Sequence, residues 1–224
     1  MVPQAALPIG ATLLGMILSS DKTLISSMTG NRVAHPLQIS LANLDMEYRN
    51  KVSNKAFMLL ALIPVPQFLH PTQRICGMLE ARLFHEIMDF ILHPLKIAAT
   101  IGIMLNDPTG YRRYCYTPIA SCIVDTPEAA LYAGVAGLTS PITMASYKEF
   151  GDPFCHEPRH ATTTLKHLQL VERGVDPWNL QAYLRAAMSY RLSGVHRPFW
   201  HNWPLSVRVT YCSQCDITVT LKLM

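Results

Sequence analysis

Residues 114–131, YCYTPIASCIVDTPEAAL, decide the class of fold. Their first part, Tyr114–Val124, is an apolar run of strand length that ends on Asp125. The next residues have the composition of a helix start, with Thr126 as the N-cap and Pro127 at the first helical position. The sequence therefore predicts a strand, an aspartate at its carboxyl end and a helix directly after it, as in an α/β protein.

A second apolar run with the same ending lies near the N-terminus. Thr12–Leu18 (TLLGMIL) predicts a buried strand that stops at a polar tip containing Asp21. A mixed sheet can bring Asp21 and Asp125 together, although they are 125 − 21 = 104 residues apart. Two carboxylates at one sheet edge can hold a divalent cation such as Mg2+, and paired cations support phosphodiester chemistry. The alternative is that both aspartates only cap strands and form turns.

The sequence between the two aspartates predicts strands followed by a long helix. In His35–Leu44, apolar and polar residues alternate as in a half-buried strand, and Lys55–Val65 is a nearly continuous apolar run. With the first strand these predict a meander. From Arg74 apolar residues recur every three or four positions, which indicates an amphipathic helix, and Pro94 is expected to kink or end it. Further helices are predicted over 162–173 and 178–192, and Gly30-Asn31 predicts a turn.

Composition excludes several classes of protein. With 50% hydrophobic and 15% charged residues in 224, the chain can bury a core and is not disordered. A net charge of +4 permits a nucleic-acid partner without requiring one. The longest apolar stretch, residues 56–66, is far shorter than a membrane-spanning helix, so we expect no membrane partner. A secretory signal is disfavoured because no Lys or Arg precedes the apolar N-terminal segment.

The six cysteines are spread through the chain, which favours reduced thiols in an intracellular protein over a disulfide scaffold. One C-x-x-C pair is present, Cys212 and Cys215, and no second pair lies at zinc spacing. We therefore predict that this pair binds no structural zinc. The segment that carries it, 206–224, alternates like an exposed strand without an obvious partner and is expected to pack poorly.

Three segments together resemble one family of proteins. They are PIGATLLGMILSSDKTLISSMTGNRVAHPLQISLANLDMEYR (8–49), GYRRYCYTPIASCIVDTPEAA (110–130) and GVHRPFWHNW (194–203). In these segments the chain closely resembles the Plavaka-type transposases of fungal genomes, which are relatives of the CACTA group of DNA transposons. The resemblance covers about Pro8 to Trp203, and SSDKT, HPLQISLANLDMEYR and IVDTPEA are distinctive as a set.

The resemblance implies a fold and a chemistry. The fold would be a ribonuclease-H-like mixed sheet with flanking helices and a C-terminal helical segment. An Asp, Asp, Glu triad would bind Mg2+ or Mn2+ and perform DNA strand cleavage and transfer, and its first two acids map to Asp21 and Asp125. The implied partner is transposon-end DNA, and the implied location is the nucleus.

The chain also departs from the family pattern. Relatives often carry a cysteine pair shortly after the second acid, where this chain has Leu138–Thr143. The family's third acid lies further downstream, and the resemblance is expected to end at Trp203. We therefore expect a partial catalytic core over 8–150, a helical insertion over 151–203 and an unrelated tail over 204–224. Such a fragment would be inactive alone. The alternative is a non-catalytic transposon-derived remnant that at most binds DNA or a protein partner.

The remaining candidate residues each have two interpretations. Lys22 can contact a phosphate or be an ordinary surface lysine. Arg197, Trp200 and Trp203 can neutralise phosphates and stack on bases, or they can anchor the helical segment on the core. Glu128 is a candidate third acid by proximity. Its position in the first helical turn instead predicts a side chain that complements the helix dipole and is directed along the helix.

Overall fold

A computed structural model describes residues 7–26, 32–203 and the backbone of 210–212. Strands and helices are mixed along the chain, as the α/β prediction requires. The strands are β1 (Thr12–Leu13), β2 (Met16–Ser20), β3 (Thr23–Ser26), β4 (Arg32–Ala34), β5 (Pro36–Leu41), β6 (Met58–Leu62), β7 (Ile103–Asn106), β8 (Arg112–Tyr116), β9 (Ile119–Ile123) and β10 (Thr210–Cys212). The helices are α1 (Met46–Arg49), α2 (Gln73–Ile101), α3 (Thr126–Ala133), α4 (Ala161–Gly174) and α5 (Leu180–Ser189), with short 3-10 helices at Val52–Asn54 and Tyr147–Glu149.

The largest sheet has five strands in the order β10-β9-β2-β5-β6. The strands β2, β5 and β6 are antiparallel neighbours, which confirms the predicted meander. The strand β9 runs parallel to β2 on its other side, and β10 runs parallel to β9. The sheet is therefore mixed, and the apolar strand β2, whose residues 16–18 are buried, lies at its centre.

Both of the predicted strands that lead to an aspartate are in fact two strands. The run Thr12–Leu18 divides into β1 and β2, and Tyr114–Val124 divides into β8 and β9, with β1 and β8 paired in a separate sheet that also contains β7. Pro118 lies at the division and has no N–H for a ladder, although its carbonyl accepts from the Met16 N–H at 2.8 Å. Gly15 is opposite, where a Cβ would come within 3.1 Å of two alanine side chains. The two strands thus bend together from one sheet into the other.

The long helix does not end at Pro94, and a kink at this residue, the other expectation, stays a prediction. The helix α2 continues through Pro94 to Ile101. Proline removes the N–H that would bond the carbonyl of Phe90, four residues earlier. The Phe90 side chain is 84% exposed, so this part of the helix faces solvent and water can satisfy the carbonyl. The opposite face, with Met88 and Leu92 fully buried, holds the helix on the core.

The main core lies between the five-stranded sheet and the helices α2 and α3. Its largest buried side chains come from the sheet, from α2, from α3 and from the segment after α5: Leu18, Leu37, Phe84, Met88, Leu92, Tyr132, Phe199, Trp200 and Trp203. A second cluster joins α3 to α4 and α5, the two helices predicted over 162–173 and 178–192. The helical segment is therefore packed directly on the helix that follows Asp125.

The C-terminal segment differs from its prediction where it is described. Residues 210–212 form β10 and pair in parallel with residues 121–123, so the expectation that this segment has no partner is wrong for that part. Cys215 and the Gly30-Asn31 turn lie outside the described residues. The boundaries at 150 and 203 stay predictions. None of the described helices combines the length and apolarity needed to cross a bilayer.

Candidate active site

The two candidate acids follow neighbouring parallel strands. In the ladder between β2 and β9, Ser19 is opposite Ile123. Asp21 and Asp125 each come two residues after this pair. Adjacent strands are about 4.8 Å apart, and both aspartates are exposed. The prediction that the two strand ends lie side by side is confirmed, whereas a shared cation stays a prediction.

The residue after β9 begins a helix, which fixes the second aspartate. Asp125 has extended backbone dihedrals and is the N-cap of α3, and its Oδ1 accepts the Glu128 N–H at 2.8 Å. The prediction that Thr126 is the N-cap is therefore wrong, because Thr126 is already the first helical residue. The Asp21 carboxylate is held less firmly, with the Thr23 hydroxyl 3.4 Å from its Oδ2.

Four polar side chains lie in the interior beside these strand ends: Ser20, His35, Glu128 and Tyr132, which we call the Glu128 cluster. Glu128 is only 7% exposed, and its Oε1 accepts from the Ser20 hydroxyl at 2.5 Å and bonds to His35 Nε2. The predicted direction of this side chain, along the helix, is therefore wrong. A buried carboxylate needs hydrogen-bond donors, and here the sheet provides them.

The hydrogen bonds of the Glu128 cluster have a defined direction. Because the Ser20 hydroxyl donates its single proton to Glu128, the Tyr132 hydroxyl is the donor in the 2.8 Å bond between Ser20 and Tyr132. Burial, with the nearby Cys122 and Glu128, raises the pKa of Tyr132 well above its ordinary value, so the phenol keeps that proton. Burial also raises the pKa of the Cys122 thiol, which stays neutral.

An open cleft lies next to the Glu128 cluster. His35 forms part of its wall and stacks on Phe84, with 5.8 Å between ring centroids. Lys22, which follows Asp21, and Glu80, on α2, also line the cleft, together with residues 63–66. A charged, solvent-accessible surface thus begins directly beside the first aspartate.

Nearly the whole chain matches one protein family. The sequence model of the Plavaka transposase family matches residues 2–217. The chain belongs to the Plavaka transposase family. No curated protein and no solved structure matches it. The family match extends past Trp203, so it includes part of the segment in which the resemblance was expected to end.

In this Plavaka family member, Asp21 and Asp125 are the candidate metal ligands among the described residues. Within residues 7–26 and 32–203, no group of three or more His, Cys, Asp or Glu side chains is arranged to hold a metal ion. The carboxylates of Asp21 and Asp125 offer hard oxygen atoms at the ends of adjacent strands. Mg2+ is commonly bound by one or two carboxylates, with water and substrate phosphate completing its shell. The pair therefore fits one such cation, and Glu128 is engaged elsewhere.

The candidate DNA-binding residues of this Plavaka protein separate into two groups. Trp200 and Trp203 are buried, and their indole N–H groups donate to the carbonyls of Tyr132 at 2.7 Å and Thr117 at 3.3 Å. Neither ring can stack on a base in this fold, so the packing interpretation holds for both. Lys22 and Arg197 are exposed, and phosphate contacts by these two residues stay a prediction.

Proposed function

We propose that this chain is part of the catalytic core of a metal-dependent DNA transposase. One observation carries the proposal. Asp21 and Asp125, the acids implied by the family resemblance, each come two residues after Ser19 and Ile123, which are opposite each other in adjacent parallel strands. The exposed position of both side chains leaves them accessible to a cation and to a phosphodiester.

The sheet supports a ribonuclease-H-like fold. In it an antiparallel meander, β2-β5-β6, is continued on the other side of β2 by the parallel strands β9 and β10. The helix α2 lies in the chain between β6 and β9, and α3 follows β9 directly. Carboxyl ends of neighbouring parallel strands are common ligand-binding positions in α/β sheets.

The proposed chemistry is DNA strand cleavage and transfer. Asp21 and Asp125 would hold Mg2+ or Mn2+, which supplies Lewis-acid stabilisation of charge on phosphodiester oxygens. Lys22 and Arg197 would neutralise phosphates and orient the backbone of transposon-end DNA, a role that carries no sequence specificity. A protein that acts on genomic transposon DNA of a fungus would work in the nucleus.

Two aspartates are too few ligands for these residues alone to complete the reaction. Two-metal chemistry needs ligands for one ion at the attacking oxygen and for another at the leaving oxygen. Two aspartates leave the second ion under-coordinated, and Glu128 is occupied by Ser20 and His35. We therefore propose that the chain binds a cation without cleaving or joining DNA. A non-catalytic remnant that at most binds DNA or a protein partner is the second candidate.

Manganese affinity tests the proposed site. Electron paramagnetic resonance would follow Mn2+ binding to the wild type and to Asp21→Asn and Asp125→Asn. Asparagine keeps the size and the capping ability of aspartate but removes the charge. We expect each variant to bind at least about tenfold more weakly, since a ligand should matter no less than outer-shell groups, whose loss costs about 10–100-fold. Asp45→Asn, at the exposed N-cap of α1, is the matched control and should bind normally.

Two results would contradict the proposal in different ways. Equal Mn2+ affinity in the wild type and both variants would exclude the shared site and favour the remnant. Cleavage of transposon-end DNA by the wild type with Mg2+ or Mn2+, lost in an Asp21→Ala, Asp125→Ala double variant, would show that the site is complete without a further acid.

A further inference from the structure

We propose that Glu128 is a positioning residue that fixes the separation of Asp21 and Asp125. The inference rests on the proposed metal site and adds to it a residue that does not touch the metal. The Glu128 cluster joins the strand that leads to the first aspartate with the helix that begins at the second. A cation bound between two exposed carboxylates depends on that separation, because its ligands must lie within a few ångströms of one another.

Glu128 is hydrogen-bonded to Asp125 and to Ser20, the chain neighbour of Asp21. Its side-chain Oε1 accepts the hydroxyl of Ser20 at 2.5 Å, and Ser20 immediately precedes Asp21. Its backbone N–H donates to Oδ1 of Asp125 at 2.8 Å. One residue therefore bonds to the neighbour of the first acid and to the second acid itself. A shift of Glu128 would move the two carboxylates relative to each other.

The other members of the Glu128 cluster hold this connection in place. His35, directly before β5, bonds through Nε2 to the same Oε1, and its ring is stacked on Phe84 of α2. Tyr132, one helical turn after Glu128, donates to Ser20 and so fixes the hydroxyl that reaches Glu128. Because Ser20, His35 and Glu128 are each less than 9% exposed, water competes little for these bonds.

The geometry favours positioning over direct ligation. The Oε1 atom of Glu128 already accepts two hydrogen bonds, and the side chain is buried while both aspartates are exposed. Among the described residues, Glu128 forms no three-ligand group with Asp21 and Asp125. Residues that hold metal ligands in place without touching the metal typically change affinity by about 10–100-fold when removed.

Mn2+ affinity of the whole chain, measured by electron paramagnetic resonance, tests the inference. Glu128→Ala removes the bond to Ser20 and is expected to weaken Mn2+ binding by about 10–100-fold. Glu128→Gln keeps an oxygen that can accept from Ser20, and should restore most of the affinity. Glu80→Ala removes an exposed carboxylate from the neighbouring cleft and should change the affinity by less than about twofold, since exposed charges interact weakly through water.

A second variant covers the case in which Glu128→Ala does not fold. Ser20→Ala deletes only the hydroxyl between Glu128 and the first strand, and should weaken Mn2+ binding several-fold in a protein whose circular dichroism is unchanged. Wild-type affinity in folded Ser20→Ala or Glu128→Ala would overturn the positioning role alone, because a purely structural residue lowers stability without lowering affinity. If Asp21→Asn and Asp125→Asn instead bind Mn2+ as tightly as the wild type does, the metal site is overturned, and this inference with it.

Discussion

Replacement of Trp200 by alanine is expected to lower the free energy of unfolding by about 3–5 kcal/mol. The indole is 7% exposed and belongs to the main core together with Phe199 and Trp203. Its removal leaves a cavity and also leaves the carbonyl of Tyr132 without its donor, which adds the cost of an unsatisfied buried acceptor. Urea denaturation followed by circular dichroism measures the change.

The control for Trp200 is a tryptophan that the fold leaves in solvent. Trp178 is 76% exposed, so Trp178→Ala should change the free energy of unfolding by less than about 0.5 kcal/mol. If Trp200 instead served DNA, Trp200→Ala would keep wild-type stability and lose affinity for DNA. That combination would contradict the buried arrangement described above.

The tryptophans show why the role of an aromatic residue is hard to predict from sequence. The segment GVHRPFWHNW is aromatic and basic, which suits either a nucleic-acid surface or an anchor on a core. The exposed Arg197 and the buried Trp200 lie only three positions apart. What separates them is contact with the core beneath α3, where Trp200 donates to the carbonyl of Tyr132, 68 positions away, and no local pattern contains that information.

Strong periodicity made the sheet and the long helix predictable. The apolar runs of β2 and β6 and the alternation in β5 were sufficient for the meander. The division of Tyr114–Val124 into two strands was not predicted, because one apolar run has the same appearance whether it stays in one sheet or passes into another. Pro118 was the available signal, since proline cannot donate to a central ladder. The continuation of α2 past Pro94 depended on which face of the helix met solvent.

The site was predictable only in part, for a similar reason. Two apolar runs that each end on an aspartate are visible in the sequence, and their parallel pairing brings these ends together. The sequence places Glu128 in the first helical turn, where a carboxylate usually complements the dipole. Its partners, Ser20 and His35, are separated from it by 108 and 93 residues. Tertiary hydrogen bonds therefore overrode the local rule.

Acid is expected to destabilise the fold through His85. This imidazole is fully buried, and burial lowers its pKa from 6.5 to about 4. Its Nδ1 accepts the Phe199 N–H at 3.2 Å, so Nε2 carries the proton and donates to the Leu131 carbonyl at 2.9 Å. The ring is thus held neutral, with both nitrogens bonded to backbone, and a second proton would have to displace the Phe199 bond.

The sign and size of the effect follow from the two pKa values. Between pH 6.5 and 4, His85 is protonated in the unfolded chain but stays neutral in the native protein. The contribution of His85 to the free energy of unfolding is therefore fully present above pH 6.5 and is lost as the pH falls. A pKa difference of about 2.5, at 1.36 kcal/mol for each pKa unit, corresponds to about 3 kcal/mol, most of it lost by pH 4.5.

Urea unfolding at pH 7 and pH 4.5 measures this loss. Because other groups titrate in the same range, the loss in the wild type should be compared with the loss in His85→Gln, which lacks the titrating imidazole and should lose less stability. His93→Gln, at an exposed position of the same helix, should keep the wild-type pH dependence. Identical pH dependence in the wild type and His85→Gln would show that His85 is not held neutral in the native state.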